Sequence, residues 1–147
     1  MLPTKPTKIL TPASILFAIA LLMGCKWRPN NVVYVFPDGF RGVLQLTGSQ
    51  PDGTEASRTY NSLILIVPAS GILRLRGPLP TRDWNSPSAR YANGEAIPIF
   101  EPRLHTPNGA IALRPLGTRS TNEDWFVVGT AEDAAKAQER MRGFKWP

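Results

Sequence analysis

The stretch NVVYVFPDGFRGVLQLT, residues 31–47, decides the fold class of this chain. Its first six residues are rich in β-branched and aromatic side chains, and VLQLT at its end alternates between apolar and polar, so both predict β-strands. Between them, Pro37 presets φ for a turn, Asp38 can hydrogen-bond to its own backbone, and Gly39 accepts a positive φ. The stretch therefore predicts a β-hairpin at the start of a β-rich domain.

A second stretch, SLILIVPASGILRLR, repeats two strands around a proline and a glycine. The near-continuous apolar run SLILIV predicts a strand that is buried on both faces. In ILRLR, Leu73 and Leu75 share one face, because side chains alternate along a strand, and Arg74 and Arg76 share the other. We expect a second hairpin here. Two similar strand–turn–strand segments are too few to predict a repeat protein.

The rest of the chain predicts a few more short strands and one helix. Further strands are expected at residues 96–100, 110–116 and 124–128. Residues 131–142 are strong helix formers, and Thr130 and Asp133 have the spacing of a capping box. The predicted fold is mainly β: a small antiparallel β-sandwich, Ig-like or transthyretin-like, with one C-terminal helix.

The composition is that of a globular chain of one domain. The 147 residues are 42% hydrophobic and 19% charged, which is too apolar for a disordered chain. Fifteen prolines and twelve glycines occur without a period and predict many turns between short elements. A single cysteine excludes an internal disulfide framework. Together with a single histidine, it also excludes the usual His/Cys zinc clusters.

The first 25 residues have the pattern of an export signal. Lys5 and Lys8 give a positive start, with no acidic residue before the cysteine. The apolar run at residues 15–23 would span roughly 14 Å as a helix, about half of a hydrocarbon core of ~30 Å. A short apolar run after a positive start is typical of a signal peptide.

Cys25 ends the sequence LMGC, which resembles the bacterial lipobox of a leucine, a tolerant position, a small residue and a cysteine. The resemblance implies that a diacylglycerol is attached to the sulfur and that the chain is cleaved before Cys25. Two alternatives remain open: a buried thiol beside an uncleaved signal anchor, and ordinary signal-peptidase cleavage that leaves a free thiol. The lipobox interpretation predicts a palmitate-type lipid anchor and an extracytoplasmic location, at the outer membrane if the host has one.

The expected organisation follows from these segments. Residues 1–24 form a lipoprotein signal peptide, 25–31 the lipidated cysteine and tether, 32–129 the β-sandwich domain, and 130–147 the C-terminal helix and tail. In the tether, Lys26, Trp27 and Arg28 would suit an anionic lipid surface, and a plain polar linker is the alternative.

Three motifs resemble those of a small family of bacterial exported proteins that is filed as a domain of unknown function. Its members show a P-[DE]-G-[FY]-x-G hairpin, a P-x-x-G-[IV]-L turn and an F-[FV]-V-G-T end, and many carry lipoboxes. The resemblance implies an exported β-rich architecture and no activity. The matching residues are Pro37, Asp38, Gly39, Phe40 and Gly42, then Pro68, Gly71, Ile72 and Leu73, then Phe126, Val127, Val128, Gly129 and Thr130.

Residues 77–94 form a proline-rich connection in which arginines are interleaved with aromatic residues. Arginine and tryptophan are typical of protein interfaces. Basic and aromatic residues can also bind single-stranded nucleic acid. Because an exported protein meets little nucleic acid, we do not expect it as a partner. A solvated strand face is the alternative. The predicted contact residues for an envelope protein or an anionic envelope polymer are Arg76, Arg82, Trp84, Arg90 and Tyr91.

The sequence contains no strong catalytic pattern. His105 lies in a turn region, and no G-x-S-x-G nucleophile elbow, P-loop or dinucleotide glycine pattern is present. Glu123 and Asp124 are neighbours on a predicted strand, so they should point to opposite faces. We expect a non-catalytic interaction or structural module in the cell envelope, without metal or cofactor. The alternatives are a small hydrolase that uses His105 and a small-ligand carrier.

Overall fold

The computed structural model of the protein describes residues 31–82 and 86–143. Within them, nine strands form two sheets, and one helix follows the last strand. The prediction of a mainly β fold with a C-terminal helix is therefore confirmed. The elements are β1 (Asn31–Phe36), β2 (Gly42–Thr47), β3 (Ser57–Arg58), β4 (Ser62–Ile66), β5 (Ile72–Arg74), β6 (Ser86–Tyr91), β7 (Ala96–Ile97), β8 (Ala112–Ser120), β9 (Glu123–Gly129) and α1 (Ala131–Gly143).

The two sheets share one hydrophobic core. The first sheet has the strand order β3-β4-β1-β6-β7 and the second has the order β5-β2-β9-β8. Alternate residues of β1 and β2 meet between the sheets, and the rings of Tyr34 and Phe126 lie 5.8 Å apart across that space. Leu44 and Phe36 are fully buried there. This arrangement is a sandwich of two layers.

The hairpin predicted at residues 31–47 is wrong. β1 and β2 lie in different sheets, so the turn between them carries the chain across the sandwich. The turn itself agrees with the prediction, because the Phe40 N–H donates to the Pro37 carbonyl at 3.0 Å and Gly39 has a φ of +70°. Each strand has one strongly apolar face. Folding these faces onto each other buries both, whereas a hairpin would leave them side by side in one sheet.

The second predicted hairpin is wrong for the same reason, because β4 and β5 also lie in different sheets. We call β1–β2 (residues 31–47) and β4–β5 (residues 62–74) arches, since each crosses from one sheet to the other. β4 pairs parallel to β1, and β5 pairs parallel to β2, so the second arch stacks on the first. β6 is also parallel to β1. Both sheets are therefore mixed, and the expectation of a purely antiparallel sandwich is wrong.

Two strand predictions also need correction. β4 is buried on one face only, since Leu63 and Leu65 point into the core while Ile66 is 68% exposed. The predicted connection at residues 77–94 contains β6, which pairs with the central strand β1. Its sequence, SPSARY, places only Ala89 and Tyr91 toward the core, and so few apolar residues give a weak strand signal.

Helix α1 begins with the predicted capping box. The Asp133 N–H donates to the Thr130 hydroxyl at 3.2 Å, and the Thr130 N–H donates to the Asp133 carboxylate at 2.9 Å. Lys136 forms an ion pair with Glu132 at 2.6 Å, one helical turn apart. The helix packs through the buried Ala137 against β8 and β9. Across residues 31–82 and 86–143, no helix combines the length and the apolar character needed to cross a bilayer.

The capping box gives a first test of the fold. Thr130→Ala removes the hydroxyl that accepts the Asp133 N–H, and we expect it to lower the free energy of unfolding by about 1 kcal/mol. Thr130→Ser keeps a hydroxyl and should stay close to the parent protein. Urea unfolding followed by circular dichroism measures both variants. Equal losses in the two variants would contradict the capping role.

Candidate functional site

A groove of about 550 Å³ lies between α1 and the outer face of the second sheet. We call it the helix groove. This volume falls within the range of small-molecule sites, roughly 300–1,000 Å³. Its floor is apolar and is formed by Val43, Trp125, Val127, Ala137 and Met141. Its charged rim is formed by Arg41, Arg119, Asp133, Lys136 and Arg140.

The floor results from strands that carry apolar residues on both faces. Val43 of β2 is paired with Val127 of β9, and both face away from the sandwich core toward α1. The next pair, Leu44 and Phe126, points into the core. The small Ala137 side chain brings the helix close to this outer face.

Trp125 is fixed on the floor by contacts within the protein. Its indole N–H donates to a carboxylate oxygen of Glu123 at 2.8 Å, and the side-chain amide of Gln45 donates to the same oxygen at 2.8 Å. The Arg119 guanidinium lies 5.0 Å from the centre of the indole ring, within the range of cation–π contacts. The indole is thus held in place before any ligand arrives.

Among the residues that the structure describes, the rim of the helix groove carries four cations and one carboxylate, and one of the cations, Lys136, is paired with Glu132. The rim carboxylate, Asp133, accepts the two hydrogen bonds of Thr130. These bonds, together with the nearby charges of Arg41 and Lys136, lower the pKa of Asp133. The hydrogen bond and charge of Glu132 raise the pKa of Lys136, and the charge of Arg140 partly opposes this effect. The site therefore favours an anion.

The structure separates the predicted contact residues. Arg76 follows β5 in the second sheet, where it pairs with Glu55 at 3.3 Å, whereas Arg90 is exposed on β6 in the first sheet. Tyr91 is only 8% exposed, and its hydroxyl donates to the Phe40 carbonyl at 3.4 Å. The expectation that Tyr91 is a surface contact is wrong, because alternation along β6 turns it into the core.

Arg82 and Trp84 are the remaining predicted contact residues. Arg82 ends a short 3-10 turn at Pro80–Arg82. Trp84 lies outside the described residues, as do Cys25 and residues 26–30 of the predicted tether, whereas Asn31 already belongs to β1. Binding through Arg76, Arg82, Trp84 and Arg90 stays a prediction.

Glu123 and Asp124 point to opposite faces of β9, as the alternation predicted. Glu123 holds Trp125 on the outer face, whereas Asp124 is 3% exposed and faces the core. The Thr81 hydroxyl donates a hydrogen bond to the Asp124 carboxylate. Tyr34 is almost completely buried, and its pKa is raised by this burial and by the negative charge of Asp124. This buried polar cluster lies apart from the helix groove.

His105 is exposed in the connection between β7 and β8. Among residues 31–82 and 86–143, no three His, Cys, Asp or Glu side chains are placed to share a metal ion. A hydrolase role for His105 stays an untested alternative.

The sequence contains only a partial signal for the helix groove. Ala137 and Met141 lie on one face of α1 at helical spacing, and so small an apolar face is typical of a helix that packs at an edge. The rim residues come from β8, from α1 and from the turn before β2, so no local pattern connects them. Only the packing of α1 on β9 brings them together.

Comparisons with known proteins add little to this picture. No protein-family model matches the chain, and no curated protein sequence matches it. A crystal structure of a protein from Bacillus anthracis, described provisionally as a lipoprotein, is similar over 82% of each chain, with 11% identity and a TM-score of 0.41. This likeness is too weak to carry an argument about function. The resemblance to an exported family therefore stays a prediction.

Proposed function

We propose that this protein is a lipid-anchored protein of the cell envelope that acts by binding and not by catalysis. The positive start, the short apolar run and the LMGC sequence support an anchor at Cys25. The observation that carries the binding role is the helix groove, which combines an apolar floor, a fixed indole and a positive rim.

The chemistry of the groove favours binding over catalysis. Among residues 31–82 and 86–143, the lining contains no serine, cysteine or histidine, so this part of the chain offers no nucleophile with an adjacent base. The rim carboxylate of Asp133 is committed to the helix cap by its bonds to Thr130. What remains is a surface that can hold an anionic partner without transforming it.

The anchor is tested by metabolic labelling with an alkyne fatty acid. We expect the parent protein to take up the label and to sediment with membranes. Cys25→Ala should lose the label completely, because the sulfur is the attachment point. His105→Ala serves as the control and should label like the parent. Intact-mass spectrometry that found Met1 still present and no acyl group would contradict the proposal.

A further inference from the structure

We propose that the helix groove binds a single-chain anionic lipid, of which a fatty-acid carboxylate is the simplest form. The acyl chain would lie on the apolar floor, and the carboxylate would meet the positive rim. This inference deepens the proposed binding function and names its ligand class. It does not depend on the anchor at Cys25.

The floor matches the apolar part of such a ligand. Val127, Met141 and the indole of Trp125 face one concave space between a helix and a sheet. Each methylene buried there strengthens binding, because apolar surface is removed from water. Because Trp125 is already held by Glu123, binding does not have to order this large side chain.

The rim matches the charged part. Three cations among the described rim residues are arginines, Arg41, Arg119 and Arg140, and Arg119 already lies against the indole of Trp125. The guanidinium fork suits a carboxylate, since it can donate two parallel hydrogen bonds. Lys136 is already paired with Glu132 at 2.6 Å, so Arg41 and Arg140 are the cations that would meet an incoming carboxylate.

The geometry favours one small amphiphile over larger partners. The floor strands β2 and β9 are interior strands of their sheet, so neither offers a free edge for an added peptide strand. The groove is a concave space of about 550 Å³, whereas a bilayer presents a broad surface. One acyl chain with one anionic end fits both the shape and the charge.

Photo-crosslinking tests this proposal on the full processed protein in phosphatidylcholine nanodiscs. The probe is dodecanoic acid with a diazirine on its chain, and its matched controls are the corresponding alcohol and the corresponding amine. We expect adducts on the peptides that carry Trp125 and Met141, and excess dodecanoate should suppress them. The alcohol and the amine should give at least ten-fold fewer adducts.

Charge-reversed variants test the rim. Arg41→Glu combined with Arg140→Glu should reduce labelling by the carboxylate probe at least ten-fold. Arg58→Glu, an exposed arginine on β3 in the other sheet, should label like the parent. Circular dichroism checks that each variant is folded. Met141→Glu is a second variant, which places a negative charge on the floor and should also reduce labelling.

Several results would overturn the inference: equal labelling by the three probes, unchanged labelling of the rim variant, or adducts outside the groove. Labelling only by a phosphatidylglycerol with a headgroup diazirine would assign the surface to the bilayer. Displacement by polyglutamate and not by dodecanoate would assign it to an acidic chain. The Cys25→Ala chain should still label in the groove, so failure of the anchor and failure of the ligand proposal are distinguishable.

Discussion

Gly71→Ala should lower the free energy of unfolding by about 3 kcal/mol or more, because two costs add at this position. Gly71 has a φ of +72°, which L-residues with a side chain rarely adopt. A Cβ atom here would also lie 2.2 Å from the Val43 carbonyl oxygen. That oxygen belongs to the backbone of β2, and the neighbouring Gln45 N–H bonds to the Gly71 carbonyl at 2.8 Å. The stacked arches leave no room for a methyl group.

Gly39→Ala is the matched control. Gly39 lies in the other arch with a φ of +70°, but a Cβ atom there would meet nothing within 4 Å. Gly39→Ala should therefore lower the free energy of unfolding only by the cost of the positive φ, about 1 kcal/mol. Urea unfolding of both variants separates the two costs. Similar losses at the two glycines would show that the arches are not packed as described.

Alkaline pH should destabilise the protein through Tyr34. Burial and the charge of Asp124 raise the pKa of Tyr34 in the folded state above its ordinary value of 10.0. Its contribution to stability is therefore complete below pH 10. Above that pH the unfolded chain loses the phenolic proton while the folded chain keeps it. The free energy of unfolding should then fall by up to about 1.4 kcal/mol per pH unit.

Tyr34→Phe cannot ionise at this position, so the stability of the parent relative to this variant should fall steadily from pH 10 to pH 12. Tyr60→Phe is the control, because Tyr60 is 80% exposed. It should follow the parent at every pH. Urea unfolding at half-unit pH steps measures the three proteins. Parallel curves for Tyr34→Phe and the parent would contradict a buried, neutral phenol.

The sequence predicted the positions of most strands, because each carries its own local signal. Alternation placed Leu73 and Leu75 in the core and Arg74 outside it, as observed. The pairing of strands could not be read in this way. A hairpin and an arch use the same turn chemistry at Pro37 and Gly39, and only the burial of two apolar faces decides between them.

Tertiary contacts explain the remaining misses. β6 is polar by sequence, and it becomes a strand because β1 offers it a partner along its whole length. The core position of Tyr91 depends on the register of that pairing, which the sequence does not specify. The helix groove depends on distant segments that meet only after α1 docks beside Trp125.

The parallel pairing of β1 has a consequence for the order in which the chain assembles. Asn31 pairs with Ser62 on one side and with Ser86 on the other. β1 therefore pairs only with strands that lie far from it in the sequence and are synthesised later. Closing such long loops costs entropy before any contact compensates for it, which makes folding slow. During that delay Tyr34 and Phe36 are open to other chains, and early aggregation should begin at this segment.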